Sequence, residues 1–199
     1  MKKLFTLGIV VSMALIFSLY IYAQREKMII ASSVLRLHVV AQSNGKNDQE
    51  LKLKVRDAVL REAKALLSAA ENKEEAKTIV KENENLFVSV AEKTLREEGC
   101  NYPVTVNVGK TSFPLKIYEN IRLPGGVYDA VNIKIGEAKG ENWWCIMYPM
   151  LCFTDNVTAK LDKDGENVLK EELGEERFSL ITETKDKKIN IKFKILELF

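Results

Sequence analysis

An unbroken run of twenty uncharged residues, Leu4 to Ala23, follows Lys2 and Lys3 at the start of MKKLFTLGIVVSMALIFSLYIYAQREK. At a helical rise of ~1.5 Å per residue, such a run covers the ~30 Å hydrocarbon thickness of a bilayer. No face of it is polar, so it does not fit a helix buried in a soluble core. Two readings stay open, a secretory signal peptide and an uncleaved signal anchor. The run is longer than the ~7–15 residues of an ordinary signal core. Cleavage after Ala23 would also place Ile21, not a small residue, at the minus-three position. Both points favour the anchor. Either way Lys2 and Lys3 stay in the cytoplasm and the chain beyond Gln24 is exported. No cysteine closes the run, which excludes lipoprotein processing.

The 199 residues suffice for one ordinary domain and a short appendage. Lys2 and Lys3 supply the whole formal charge of +2, so the residues after Gln24 balance 28 basic against 28 acidic side chains. That balance leaves no basic patch for nucleic acid. Export in turn bears on the three cysteines, Cys100, Cys145 and Cys152, because exported cysteines tend to be oxidised and paired, and an odd count leaves one over.

Hydrophobic periodicity divides the rest. In SSVLRLHVVAQS, Val34, Arg36, His38 and Val40 share one face of a strand, and Leu35, Leu37 and Val39 the other. Asn47 and Glu50 have capping-box spacing for a helix over 48–70. A second helix is expected over 73–98, stopped by Gly99. YPVTVNVG then reads as a strand, followed by a loop holding Pro114, Pro124, Gly125 and Gly126. VYDAVNIKIG and NWWCIMY flank a glycine-bounded turn and are expected to pair as a hairpin. Residues 158–177 look like a charged connection or weak helix, and KKINIKFKILELF alternates as a final strand with lysines guarding its edge. The expected class is α+β, a mainly antiparallel sheet packed against two helices and preceded by the membrane-spanning or signal helix. The expected division is residues 1–24 as signal peptide or anchor, 25–157 as the main domain, and 158–199 as a charged connection and strand of the same domain.

ENWWCIMYPMLCF, residues 141–153, concentrates the reactive and aromatic side chains. A cysteine nucleophile needs a base, and His38 is the single histidine, mid-strand and far away in sequence. Three cysteines and a histidine match a zinc ligand count, but Cys145 and Cys152 are spaced too widely for a zinc knuckle. No P-loop or dinucleotide fingerprint occurs. Two readings of Cys145 and Cys152 remain, a disulfide and a pair of buried thiols. A disulfide would close an eight-residue ring, worth about 2.5 kcal/mol by chain entropy, with Pro149 helping the turn and Ile146, Met147, Tyr148 and Met150 displayed. Trp143 and Trp144, adjacent in a strand, point to opposite faces. One can fill the core beneath the helices, and the other needs a covering loop or a partner.

With these residues in view, the chain resembles the stage II sporulation protein R family of endospore-forming bacteria. LRLHVVAQSNGKNDQELKLKVRDAV (35–59) and LPGGVYDAVNIKIGEAKGENWWCIMYPMLCF (123–153), with YPVTV between them, carry the resemblance. It covers about residues 33–155 and departs from the family pattern at Gln42, where asparagine is favoured, and at Met150, often a second proline. It implies a non-enzymatic signal, exported from the forespore into the space between two membranes, that switches on a membrane-embedded aspartic protease. That protease then matures a mother-cell sigma factor. The expected partner-binding residues are Asn142, Trp143, Trp144, Tyr148, Pro149 and Phe153, beside a Cys145–Cys152 disulfide. The expected partners are that protease and the membrane through residues 4–23, with no nucleic acid, small-molecule substrate, metal or cofactor. An exported hydrolase using Cys145 with His38, or a structural envelope protein, are the alternatives.

Overall fold

A strand with apolar or buried side chains on both faces belongs in the middle of a sheet, and β1 (Leu35–Val40) takes that place. In the computed structural model, which describes residues 2–118, 121–151 and 163–182 (side chains of 163–166 excepted), it is preceded by one long helix, α1 (Lys2–Ser32). Then come α2 (Lys46–Leu67), α3 (Lys73–Glu82), α4 (Glu84–Glu97), β2 (Val104–Phe113), β3 (Lys116–Tyr118) and β4 (Ile121–Leu123). β5 (Gly126–Ile135), β6 (Asn142–Tyr148), α5 (Lys163–Leu173) and α6 (Glu175–Ile181) complete the described elements. The class is α+β, as the periodicity implies. The expected C-terminal strand lies outside the described residues.

The main sheet runs β2-β5-β1-β6. β1 is parallel to β5 and antiparallel to β6, and β2 is antiparallel to β5. The expected β5–β6 hairpin is therefore not formed, because β1 lies between the two strands. The turn that joins them crosses the end of β1, where Gly140 N–H donates to Ala41 O (2.9 Å) and Lys139 N–H to Gln42 O (3.1 Å). Glycine is required at this crossing. A Cβ on Gly140 would stand 2.2 Å from Ser43 O, and Gly136 has φ +57° against the Gln42 side chain.

One sheet face is covered by α2, α3 and α4. Their Leu51, Val55, Val59, Ala76, Val80, Phe87, Ala91 and Leu95 pack on Leu35, Leu37, Val39, Val131, Ile133 and Cys145. The expected second helix is broken in two at Asn83, whose amide donates to Ile79 O (2.8 Å) in competition with the backbone. α2 begins earlier than expected, with Gly45 and not Asn47 at its N-cap. Ser43 and Asp48 tie that turn together instead, hydroxyl to carboxylate at 2.5 Å. At α3 the cap is Asn72, whose side-chain oxygen accepts from Glu75 N–H at 3.0 Å. Asn72→Ala is expected to cost about 1 kcal/mol, measured by urea unfolding, and an unchanged midpoint would deny the cap any role.

The other face is only partly covered, by the end of α1, the β3–β4 ladder, α5 and α6. The region expected as a loop around Pro114 and Pro124 holds that ladder, whose inward Ile121 and Leu123 are fully buried. The charged stretch expected as a connection or weak helix holds α5 and α6, which bury Leu169, Leu173, Leu180 and Ile181. α1 is, among the described residues, the one helix long and apolar enough to cross a bilayer. Its first two-thirds are exposed, whereas Ala23, Glu26 and Ile30 form a buried stripe at helical spacing. Ala23 meets Leu180, Arg177 donates to Glu26 at 2.8 Å, and Ile30 enters the second core.

Candidate functional site

Period-two alternation along β1 sends Leu37 toward the helices and Arg36 and His38 to the opposite face. Register then aligns Asn107, Asn132, His38 and Trp144 as a row across all four strands. His38 is fixed within that row. Its Nδ1 lies 3.1 Å from Asn132 Oδ1 and its Nε2 2.6 Å from Asn142 Oδ1. Its ring stacks on Trp144 (centroids 5.8 Å apart, planes at 14°) and meets the edge of Phe113. Thr111 adds a hydroxyl donated to Asn132 Oδ1 at 3.0 Å.

The hydrolase alternative fails on this geometry. Cys145 sits opposite Leu37 with its side chain in the helix-covered core, while His38 projects from the other side of the sheet. Both imidazole nitrogens face asparagine amides. A nucleophile and base separated by a sheet cannot exchange a proton. Cys100 is a free, half-buried thiol, and Cys152 lies outside the described residues. Among the described residues no cluster of His, Cys, Asp and Glu could hold a metal ion.

The expected recognition residues separate. Trp143 is half-buried on the helix side, under the Arg56 guanidinium at 4.2 Å, and its buried Nε1 has no hydrogen-bond partner. Trp144 is half-buried on the other side, with Lys116 Nζ 3.8 Å from its ring centroid. Asn142 is exposed at the strand's start. Tyr148 and Pro149 are buried. The Tyr148 hydroxyl donates to Glu172 at 3.0 Å, and burial together with that carboxylate pushes its pKa up to about 12. Phe153 lies outside the described residues. Ile146, Met147 and Tyr148 are therefore not displayed as expected. β6 is covered on both faces, and Leu151 N–H closes back on Ile146 O at 3.2 Å.

Arg36 and Asp129 are charges buried within strands of the sheet. Arg36 is 0% exposed and lies in an aromatic cage, its Cζ 4.3 Å from the Phe113 centroid, 5.1 Å from that of Tyr128 and 5.9 Å from that of Tyr118. Its Nε donates to Cys145 O (3.0 Å) and its Nη2 to Tyr118 Oη (2.6 Å), but Nη1 has no acceptor. Burial pulls the guanidinium pKa down, opposed by the two phenols. Burial likewise pushes Tyr128 up to about 12, against the pull of Arg36. On the other face Asp129 accepts from Lys73 (2.6 Å), Lys77 (3.1 Å) and Lys110 (3.1 Å). Burial pushes its carboxyl up, but the three ammonium groups outweigh burial and hold it well below the usual carboxylate range. The signal was present in both cases, a charge inside an otherwise apolar strand, LRL and YDA.

Fold and site together define a mixed α/β domain carried on an apolar helix, with Arg36, Lys116 and aromatic side chains clustered on the sheet face opposite α2–α4 and no nucleophile–base pair assembled from Cys145 and His38. The family model described as stage II sporulation protein R matches residues 31–158, and the chain belongs to that family. The stage II sporulation protein R of Bacillus subtilis (strain 168) is 33% identical over 145 residues, 73% of this chain and 65% of that relative's length. No solved structure matches the chain significantly.

Proposed function

We propose that this protein is an exported signal of endospore formation, not an enzyme. It activates a membrane-embedded aspartic protease that processes a pro-sigma factor in the mother cell. Family membership carries the reading, and the name of the Bacillus subtilis relative supports a sporulation role. The apolar length of α1 is compatible with export to the intermembrane space, as a signal or as an anchor. We pair Cys145 with Cys152 in a disulfide, as an oxidising compartment favours. Recognition centres on half-buried Trp144 with Asn142 at its rim, Trp143, Tyr148 and Pro149 bracing the strand from within and Phe153 continuing the same segment. Such a ligand activates an enzyme only by binding its active form more tightly than its inactive one.

The test uses sporulating cells lacking their own copy and reads sigma-factor processing. The Cys145→Ser, Cys152→Ser double variant is expected to lower processing about tenfold while exported protein falls less than twofold. Losing the ring should cost about 2.5 kcal/mol, which thermal unfolding of the purified chain checks. Wild-type processing from a folded double variant removes the ring from the mechanism. Processing that does not depend on the wild-type chain removes the function.

A further inference from the structure

A cation taken out of water needs a counter-charge or an acceptor for each of its donors. The sheet's two faces treat this requirement differently. On the helix side, buried Lys73 is paired with Asp129 at 2.6 Å. On the other side, Arg36 is 0% exposed, has an N–H with no acceptor, and forms no ion pair among the described residues. Lys116 of β3 stands near enough for the charge of Arg36 to oppose its own. It is half-buried and, among the described residues, has no carboxylate partner, resting instead on the Trp144 ring at 3.8 Å. Among the described residues, two desolvated cations thus share one corner with aromatic rings and no acid. Phe113 and Tyr128 soften the cost for Arg36, but they cannot accept its remaining N–H in the way a carboxylate oxygen would.

We propose that Lys116 and Arg36 form an acceptor for a carboxylate carried by the protein partner, an Asp or Glu side chain that seats on Lys116 against Trp144. Arg36 is the second positive charge behind it. This rests on the partner-activating reading above. A protein side chain fits better than a polyanion, because the residues after Gln24 carry equal numbers of acidic and basic side chains and hold no extended positive field. Tyr118 ties Arg36 to the Trp144 on which Lys116 rests, accepting from Arg36 Nη2 and donating to Trp144 O at 3.3 Å. Docking at Lys116 would therefore be felt at Arg36 through one hydroxyl.

The experiment uses membranes containing the full chain and the protease together, treated with a water-soluble carbodiimide, which joins a lysine amine to a carboxylate only when the two already touch. Mass spectrometry is expected to find Lys116 joined to an Asp or Glu of the protease. Lys116→Arg should lose that link, since a guanidinium does not form it, yet keep at least half of the sigma-factor processing. Lys116→Glu should lower processing at least tenfold with a thermal midpoint within about 3 °C of wild type, about the shift of a sub-kcal/mol change. Exposed Lys93→Glu on α4 should leave processing within twofold. Links elsewhere between the two proteins with Lys116 silent, or wild-type processing by Lys116→Glu, overturn the acceptor and leave the function standing. A wild-type chain that neither links to the protease nor raises processing defeats the function and the acceptor with it.

Discussion

Asp129→Ala is expected to cost about 3–5 kcal/mol of stability, the range for removing one partner of a buried ion pair. Asp129 is 2% exposed and ties α3 to the sheet through Lys73 and Lys77, with Lys110 closing over it from β2. Without it, Lys73, itself 6% exposed, keeps Glu74 alone as counter-ion. The sign of the pH effect follows from the depressed carboxyl. In the unfolded chain Asp129 regains a pKa near ~3.9, so the native state holds its proton less tightly. Its stabilisation is complete above that value and is lost progressively as pH falls below about 4. Urea unfolding of the wild-type chain between pH 7 and pH 3 should show that loss, and Asp129→Asn should flatten this part of the acid limb. An Asp129→Ala cost below about 1 kcal/mol would mean that the three lysines are solvated well enough without it.

Arg36 should answer in the opposite direction. Arg36→Met removes an uncompensated buried charge while keeping most of the side-chain volume, and is expected to raise stability by about 1–2 kcal/mol. Arg36→Ala leaves a hole among Phe113, Tyr118 and Tyr128 and is expected to lower it by about 2–4 kcal/mol. The pair separates charge from volume. A more stable Arg36→Met protein that no longer signals would mark the arginine as retained for function at a cost in stability. Should Arg36→Met destabilise by more than about 1 kcal/mol, the hydrogen bonds to Cys145 O and Tyr118 are what the fold needs from it.

The same alternation that assigned β1 its two faces contained the site without revealing it. Alternation alone puts Arg36 and His38 on one face, and Trp143 and Trp144 on opposite ones, as the structure does. What the pattern lacked was the neighbour. His38 and Cys145 are both chemically capable, whereas the sheet sets them on opposite sides and gives His38 to Asn132, Asn142 and Trp144. The expected display of Ile146, Met147 and Tyr148 failed for a related reason. β1 alongside β6 and the covered faces above and below bury these side chains. Nor did the charged composition of 158–177 conceal a lack of structure. Leu169 and Leu173 sit four apart on one helical stripe, which suffices to dock α5.

Sequence by itself determined what depends on near neighbours along the chain: a helix apolar enough for a bilayer, strands with two distinct faces, and helices with one buried stripe. These follow from periods of 3.6 and 2, which any short window exposes. Tertiary structure alone decided which strands adjoin, inserting β1 between β5 and β6 and so bringing Arg36 beneath Phe113 and Tyr128, His38 against Trp144, and Asp129 beneath α3. Strand order is chosen by the burial of whole faces and by charges that meet across a hundred residues, and no local period carries that information.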